Sequence, residues 1–176
     1  MFTRSLICAA ALAAGMAHAQ SDASGEMSPA AMATLVNADG AEVGEVQIFE
    51  ATEGLLLRVS ASDMEPGYHG FHLHETGACE GDFTSAGDHY NPDGSEHGLL
   101  AGDSAHAGDL PNIFASDAGE VRADIHAAHL TMDGDTAPIM DDDGSAFIIH
   151  ENADSYQAEA GAGGRVACGI VEMAGS

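Results

Sequence analysis

The chain has 176 residues, which suits a single domain. Its four basic and 29 acidic side chains give a formal net charge of −25 at pH 7. Nucleic acid and anionic membrane surfaces are poor partners for such a field, so we expect neither, and we interpret the charge as an aid to solubility in a saline medium.

The N-terminus has the features of a secretory signal peptide over residues 1–19. Arg4 precedes an apolar run at 6–16, and Ala17-His18-Ala19 matches the pattern that signal peptidase cleaves. The run is too short to span a bilayer. Residues 20–30 are small and polar and should form a flexible leader. Residues 31–176 then form one domain, which we expect to be periplasmic.

Cleavage after residue 19 would remove one of three cysteines and leave Cys79 and Cys168. An even pair of cysteines in an exported protein favours one disulfide between them. Two free thiols are the alternative.

Short runs of alternating hydrophobicity, separated by turn residues, predict an all-β sandwich or barrel of about eight strands. The sequence gives no convincing helix and no internal repeat. The predicted strands cover residues 31–37, 42–50, 55–60, 68–75, 112–115, 120–125, 145–150 and 165–172, and 129–132 extends the pattern. Two long loops, at 76–110 and 151–164, interrupt it.

The strand at 68–75 carries a pair of histidines on one face. Phe71 and Leu73 alternate with His72 and His74, so the two imidazoles point to the same side. They are about 6.5–7 Å apart along a strand, which lets them close on one ion. Nitrogen ligands suit copper or zinc better than calcium or magnesium.

The loop at 76–110 lacks periodicity, yet it holds further candidate metal ligands. A structureless loop of this length is usually functional or disordered. Metal ions and a disulfide could supply the order that packing does not. The candidates in this loop are His89, His97, His106 and Asp109.

Six motifs, in order, make the chain resemble the copper/zinc superoxide dismutase family from about residue 31 to 173. They are Gly70-Phe71-His72-Leu73-His74-Glu75, Thr84-Ser85-Ala86-Gly87-Asp88-His89-Tyr90-Asn91-Pro92, His97-Gly98, His106-Ala107-Gly108-Asp109-Leu110, His150-Glu151-Asn152-Ala153-Asp154 and Gly163-Gly164-Arg165-Val166-Ala167-Cys168-Gly169. The resemblance implies an eight-stranded Greek-key β-sandwich with two functional loops, superoxide as substrate, and one copper and one zinc per subunit. Family members are often homodimers.

The resemblance also implies a role for each candidate. Copper would be held by His72, His74, His89 and His150, and zinc by His89, His97, His106 and Asp109. His89 would join both ions and donate a proton to the product. Asp154 would accept hydrogen bonds from His72 and His97. Four imidazoles and a His₃Asp set are chemically reasonable for copper and zinc respectively.

Arg165 is the predicted substrate-binding residue, because superoxide is an anion and a guanidinium offers charge and hydrogen-bond donors. The loop at 151–164 contains no Lys or Arg, whereas much of the family has guiding charges there. Two alternatives stay open at this point. One is a non-catalytic periplasmic protein that stores or delivers copper and zinc, and the other is a structural sandwich held by its metals.

Overall fold

The computed structural model describes residues 27–134 and 136–175. The predicted signal peptide at 1–19 and most of the predicted leader at 20–30 lie outside the described residues. No helix in these two ranges is long and apolar enough to cross a membrane.

The described part of the chain forms ten strands and one short 3₁₀ helix at Thr84–Ala86. The strands are β1 (Ala31–Asn37), β2 (Glu42–Glu50), β3 (Leu55–Ala61), β4 (Gly67–His69), β5 (Phe71–His74), β6 (Ile113–Ala115), β7 (Val121–Ala127), β8 (Ala146–His150), β9 (Arg165–Ile170) and β10 (Glu172–Met173).

All strand pairs are antiparallel, in the order β4-β6-β7-β3-β2-β1-β9-β8-β5, with β10 beside β1. Strands far apart in the chain are neighbours in the sheet, namely β3 and β7, β1 and β9, and β5 and β8. Long connections between such strands are typical of a Greek key. The predicted all-β Greek-key sandwich is therefore confirmed, although the strand count is ten rather than eight.

Two predicted strands are each divided in two. The strand at 68–75 breaks at Gly70, whose N–H donates to Asn152 and whose carbonyl accepts from His150. Before this break β4 pairs with β6, and after it β5 pairs with β8. The strand at 165–172 breaks at Val171, which donates to Ser145 and is buried.

The segment at 129–132 is not a strand, which corrects the extension of the pattern there. It makes an isolated bridge between Thr131 and Pro138, and its backbone is hydrogen-bonded to residues 137–140. Leu130 is fully buried and Met132 nearly so, so the apolar spacing of this segment reflects packing against the core and not membership of the sheet.

The core holds β5 and β8 together. Phe71 and Phe147 stack with ring centroids 5.3 Å apart and are fully buried, as are Leu73 and Ile149. Every residue of both strands is buried. Burying two such aromatic rings contributes several kcal/mol to stability, which makes this strand pair a rigid support for the histidines on its other face.

Candidate metal centre

The histidine pair of β5 lies on the face opposite the core. His72 pairs across the sheet with Ile148, and His74 pairs with Ala146. The ring centroids of His72 and His74 are 6.5 Å apart, which agrees with the spacing expected for residues two apart on a strand. Both side chains are almost completely buried.

β8 brings the third predicted copper ligand to the same face. His150 is two residues beyond Ile148, so it lies diagonally across from His72. The centroids of these two imidazoles are 4.8 Å apart. Three ligands on two adjacent strands therefore follow from strand register alone.

The loop at 76–110 adds two further residues by pairing with the free edge of β5. Leu73 donates to the Gly108 carbonyl and accepts from the Tyr90 N–H, both at 2.9 Å. His74 thereby lies opposite His89, and His72 lies opposite Asp109.

Gly108 is required at this junction. A Cβ atom there would be 2.2 Å from the Leu73 carbonyl oxygen and 2.9 Å from the Tyr90 nitrogen. Real Cβ atoms do not approach backbone so closely, so this close docking needs glycine.

The four predicted copper ligands form one group. One ring nitrogen from each of His72, His74, His89 and His150 lies within 4.8 Å of the others. Their other nitrogens are held by the protein. His72 Nε2 contacts Asp154 Oδ2 at 2.7 Å, and His74 Nδ1 lies 3.0 Å from the Gly87 carbonyl oxygen, to which it can only donate.

Burial keeps the imidazoles of His72, His74 and His150 neutral. Desolvation, together with the neighbouring imidazoles, lowers the pKa of His72 far below its usual value. Desolvation lowers the pKa of His74 to about 3, although the hydrogen bond to Gly87 acts in the opposite direction. Desolvation also lowers the pKa of His150, to about 4. A neutral imidazole is the form that binds a metal, so the group is ready to ligate at neutral pH.

The predicted zinc ligands gather around Asp109. Its Oδ1 lies 2.7 Å from His89 Nδ1, 3.4 Å from His106 Nδ1 and 3.6 Å from His97 Nε2. Burial alone would raise the pKa of Asp109, but hydrogen bonds from His89 and the Gly98 N–H outweigh it and the pKa is lowered. Asp109 is thus an anionic centre among three imidazoles.

The four predicted zinc ligands are not equally placed. His89, His97 and Asp109 satisfy a common 4.8 Å limit, and His106 lies outside that group. His97 also differs from the other predicted ligands because both its nitrogens contact protein acceptors. Its Nδ1 lies 2.7 Å from the Gln157 carbonyl oxygen and its Nε2 lies 3.1 Å from Asp154 Oδ2.

Asp154 contacts one imidazole from each of the two predicted ligand sets. Its Oδ2 contacts both His72 and His97, and its side chain is 2% exposed. Carboxylates in this position fix the orientation of an imidazole and raise its basicity as a ligand.

Among the described residues, four buried imidazole nitrogens have no hydrogen-bond partner, and these nitrogens test whether the site fits copper and zinc. They are His72 Nδ1, His74 Nε2, His106 Nδ1 and His150 Nε2. Each unpartnered buried group costs about 1–3 kcal/mol. Bound cations would remove that cost, and all four nitrogens belong to predicted ligands. The donor set fits the two metals.

Arg165 lies beside this group. It pairs with His150 across β8 and β9, and its two terminal nitrogens donate to the carbonyls of Phe83 and Gly87. The Gly87 oxygen also accepts from His74. One carbonyl therefore fixes both a predicted copper ligand and the predicted substrate-binding cation, and the guanidinium is only half-buried.

Cys79 and Cys168 form a disulfide with Cα atoms 5.8 Å apart, which confirms the predicted pairing. It ties the first part of the loop at 76–110 to β9. The bond packs with a small apolar cluster of Phe83, Ala86, Ala146 and Ile148, so it fixes the segment whose carbonyls hold Arg165.

Two residues that the sequence did not single out also reach the site. The side-chain amide of Asn112 forms two hydrogen bonds with the backbone of Asp154, and the Tyr156 hydroxyl accepts from the Asn112 N–H. Asn112 stood at the start of a predicted strand and carried no signal of this role.

Comparison with known proteins agrees with the geometry. The family model described as copper/zinc superoxide dismutase matches residues 42–171. The chain is similar to superoxide dismutase [Cu-Zn] of Caulobacter vibrioides, with 38% identity over 81% of this chain and 85% of the relative. It is also similar to the superoxide dismutase-like protein YojM of Bacillus subtilis, with 43% identity over 78% and 73% of the two chains.

Solved structures give the same result. The crystal structure of a superoxide dismutase-like protein from Bacillus subtilis has a TM-score of 0.75 at 41% identity, and it covers 79% of this chain and 96% of its own. The copper/zinc superoxide dismutase from Brucella abortus has a TM-score of 0.67 at 33% identity, with 80% and 98% covered.

Proposed function

Because the chain belongs to the copper/zinc superoxide dismutase family, we propose that it disproportionates superoxide and that His89 would be a ligand of both its copper and its zinc ion. Family membership makes the protein an oxidoreductase with copper and zinc as its cofactors. The ligand assignment, the proton donor and the role of Arg165 are our proposal. We further propose that the protein acts in the periplasm, which the sequence pattern at 1–19 supports.

The two ligand sets follow the groups described above. His72, His74, His89 and His150 would hold copper, while His89, His97, His106 and Asp109 would hold zinc. Bound copper supplies one-electron redox chemistry, and bound zinc supplies a fixed positive charge. The buried β5–β8 pair keeps three of these imidazoles in place before any metal binds.

His89 is positioned to move a proton. Two superoxide anions and two protons give one O₂ and one H₂O₂, so the site must deliver protons to the product. His89 Nδ1 faces Asp109, which leaves Nε2 for the copper side. We assign to Nε2 the proton that is released to the reduced product, because its side chain is partly exposed whereas His72 is completely buried.

Arg165 would bind the substrate. Its guanidinium is held by two backbone carbonyls, and among the described residues no carboxylate lies within ion-pair distance of it, the nearest electrostatic influence being that of Asp88. Its positive charge is therefore free to attract an anion beside His74 and His150. No other Lys or Arg occurs between residues 123 and 176.

Arg165 beside the imidazole group is the observation that carries the proposal. A protein that only stores or delivers copper and zinc needs the imidazoles but has no need for a fixed cation next to them. The similarity to a protein named superoxide dismutase-like keeps that storage function as the competing hypothesis.

The test is superoxide consumption by the copper- and zinc-loaded protein, wild type and Arg165→Ala. We expect a rapid wild-type reaction and a rate constant at least about tenfold lower in the variant, because local electrostatic guidance of an anion raises its association rate by 10-fold to 10³-fold. Arg58→Ala, which removes an exposed arginine paired with Asp124, is the matched control and should react as the wild type does. An inactive, fully metal-loaded wild type would support the storage function instead.

A further inference from the structure

We propose that Asn112 is a positioning residue that sets the Asp154 carboxylate and thereby couples the copper side of the site to the zinc side. This inference rests on the ligand assignment of the proposed function. Asn112 touches neither group of ligands directly, and it acts through the residue that joins them.

The side-chain amide of Asn112 binds the backbone of Asp154 at two points. Its Oδ1 accepts from the Asp154 N–H at 2.8 Å, and its Nδ2 donates to the Asp154 carbonyl at 2.9 Å. Two parallel bonds from one planar group fix both the position and the rotation of the residue they bind. The partners are 42 positions apart in the chain, so the two bonds link the loop at 151–164 to the sheet.

Asn112 is itself well anchored. It directly precedes β6, whose first residue Ile113 is 1% exposed and packs in the main core. Its own N–H donates to the Tyr156 hydroxyl at 2.7 Å. Asp154 is therefore held against a residue that directly precedes a core strand.

Tyr156 completes the link from the other side. Its N–H donates to Asp154 Oδ1 at 2.6 Å, and its carbonyl accepts from the Leu100 N–H, in the loop at 76–110, at 2.9 Å. Its φ of +61° lies in the left-handed region, which costs a non-glycine residue about 1–2 kcal/mol. These contacts hold Tyr156 in that conformation and leave Asp154 Oδ2 for the imidazoles.

Loss of the Asn112 amide would therefore disturb both sides at once. Asp154 Oδ2 is the acceptor for His72 Nε2 on the copper side and for His97 Nε2 on the zinc side. A shift of this one oxygen would remove an orienting contact from both rings at once. A purely structural role for Asn112 would instead lower stability without a coordinated change in two metal sites.

The experiment compares metal binding in Asn112→Ala and wild type, with no superoxide present. Copper and zinc affinities are measured by chelator competition, and the copper geometry is followed by the electron paramagnetic resonance spectrum of Cu²⁺. We expect both dissociation constants to rise about tenfold, the lower end of the effect of removing groups that orient ligands, and the Cu²⁺ spectrum to change. Tyr156→Phe removes only the hydroxyl and should give a smaller change in the same direction.

Asn37→Ala is the matched control. The Asn37 side chain also makes two hydrogen bonds with the backbone, but it accepts both of them, from Asp39 and Ala41, and it lies at the β1–β2 turn. It should leave both affinities and the spectrum unchanged. The inference is overturned if Asn112→Ala and Tyr156→Phe retain wild-type metal binding, or if only one of the two metals is affected. Because no activity is measured, an inactive wild type would count against the proposed function and not against this one.

Discussion

Removing the metals should make the stability of the protein strongly dependent on pH below 7. In the metal-free fold, burial lowers the pKa of His74 to about 3 and that of His150 to about 4, whereas an unfolded histidine titrates near about 6.5. The unfolded chain therefore binds more protons than the folded one below that value. The contribution of these neutral histidines to stability is fully present above the pKa of an unfolded histidine. It is lost as the pH falls from that value towards the pKa of the histidine in the folded protein.

The magnitude follows from the two shifts. At pH 5 an unfolded histidine lies about 1.5 units below its pKa, and each unit corresponds to about 1.4 kcal/mol. His74 and His150 therefore remove about 2 kcal/mol each between pH 7 and pH 5, or about 4 kcal/mol together. His72, whose pKa is lowered as well, acts in the same direction. Domains of this size are stable by only about 5–15 kcal/mol.

The assay is urea unfolding of the metal-free protein, followed by far-ultraviolet circular dichroism at pH 7 and pH 5. Acid also weakens the self-repulsion of a strongly acidic chain, so the wild type is compared with His74→Gln, which shares every other charge. The variant should lose about 2 kcal/mol less between the two pH values. Equal losses in the two proteins would show that burial of His74 does not restrict its protonation, and the reasoning would be wrong.

Two further predictions concern the loop at 76–110 and the charge of the chain. Gly108→Ala should lower the free energy of unfolding, measured by urea titration, by about 2–3 kcal/mol, because it breaks backbone hydrogen bonds of about 1 kcal/mol each. The control is Gly164→Ala, whose Cβ would meet only Glu151 Oε2 at 3.6 Å and which should lower the free energy of unfolding far less. Equal losses in the two variants would contradict this prediction. The rate of superoxide consumption should rise as salt is added from very low concentrations, because screening weakens repulsion of the anion by a net charge of −25. A rate that falls steadily with salt would contradict this reasoning.

Much of the fold and of the candidate site could be predicted because it depends on local patterns. Alternation placed His72 and His74 on one face, and turn residues marked most strand ends. The break at Gly70 escaped prediction because a glycine between His69 and Phe71 is also compatible with one continuous strand. Only the change of hydrogen-bonding partner, from β6 to β8, divides the strand.

Contacts between segments that are distant in the chain could not be predicted from the sequence. Neither Asn112 nor Tyr156 has neighbours in the chain that reveal its partner, since the amide and the Asp154 backbone are brought together by the whole sandwich. The arrangement of His97, with both nitrogens engaged, also depends on where Gln157 comes to lie. Such networks follow from packing, which a linear pattern does not encode.

The bond between residues 79 and 168 has a topological consequence. It closes a covalent ring that contains five of the seven predicted metal ligands, while His72 and His74 enter from the chain outside it. A protease that cut one peptide bond in the exposed stretch at 102–104 would open this ring without releasing a fragment. The nicked molecule would gain only the mass of one water, and its two pieces would separate only after reduction of the disulfide and unfolding of the sheet.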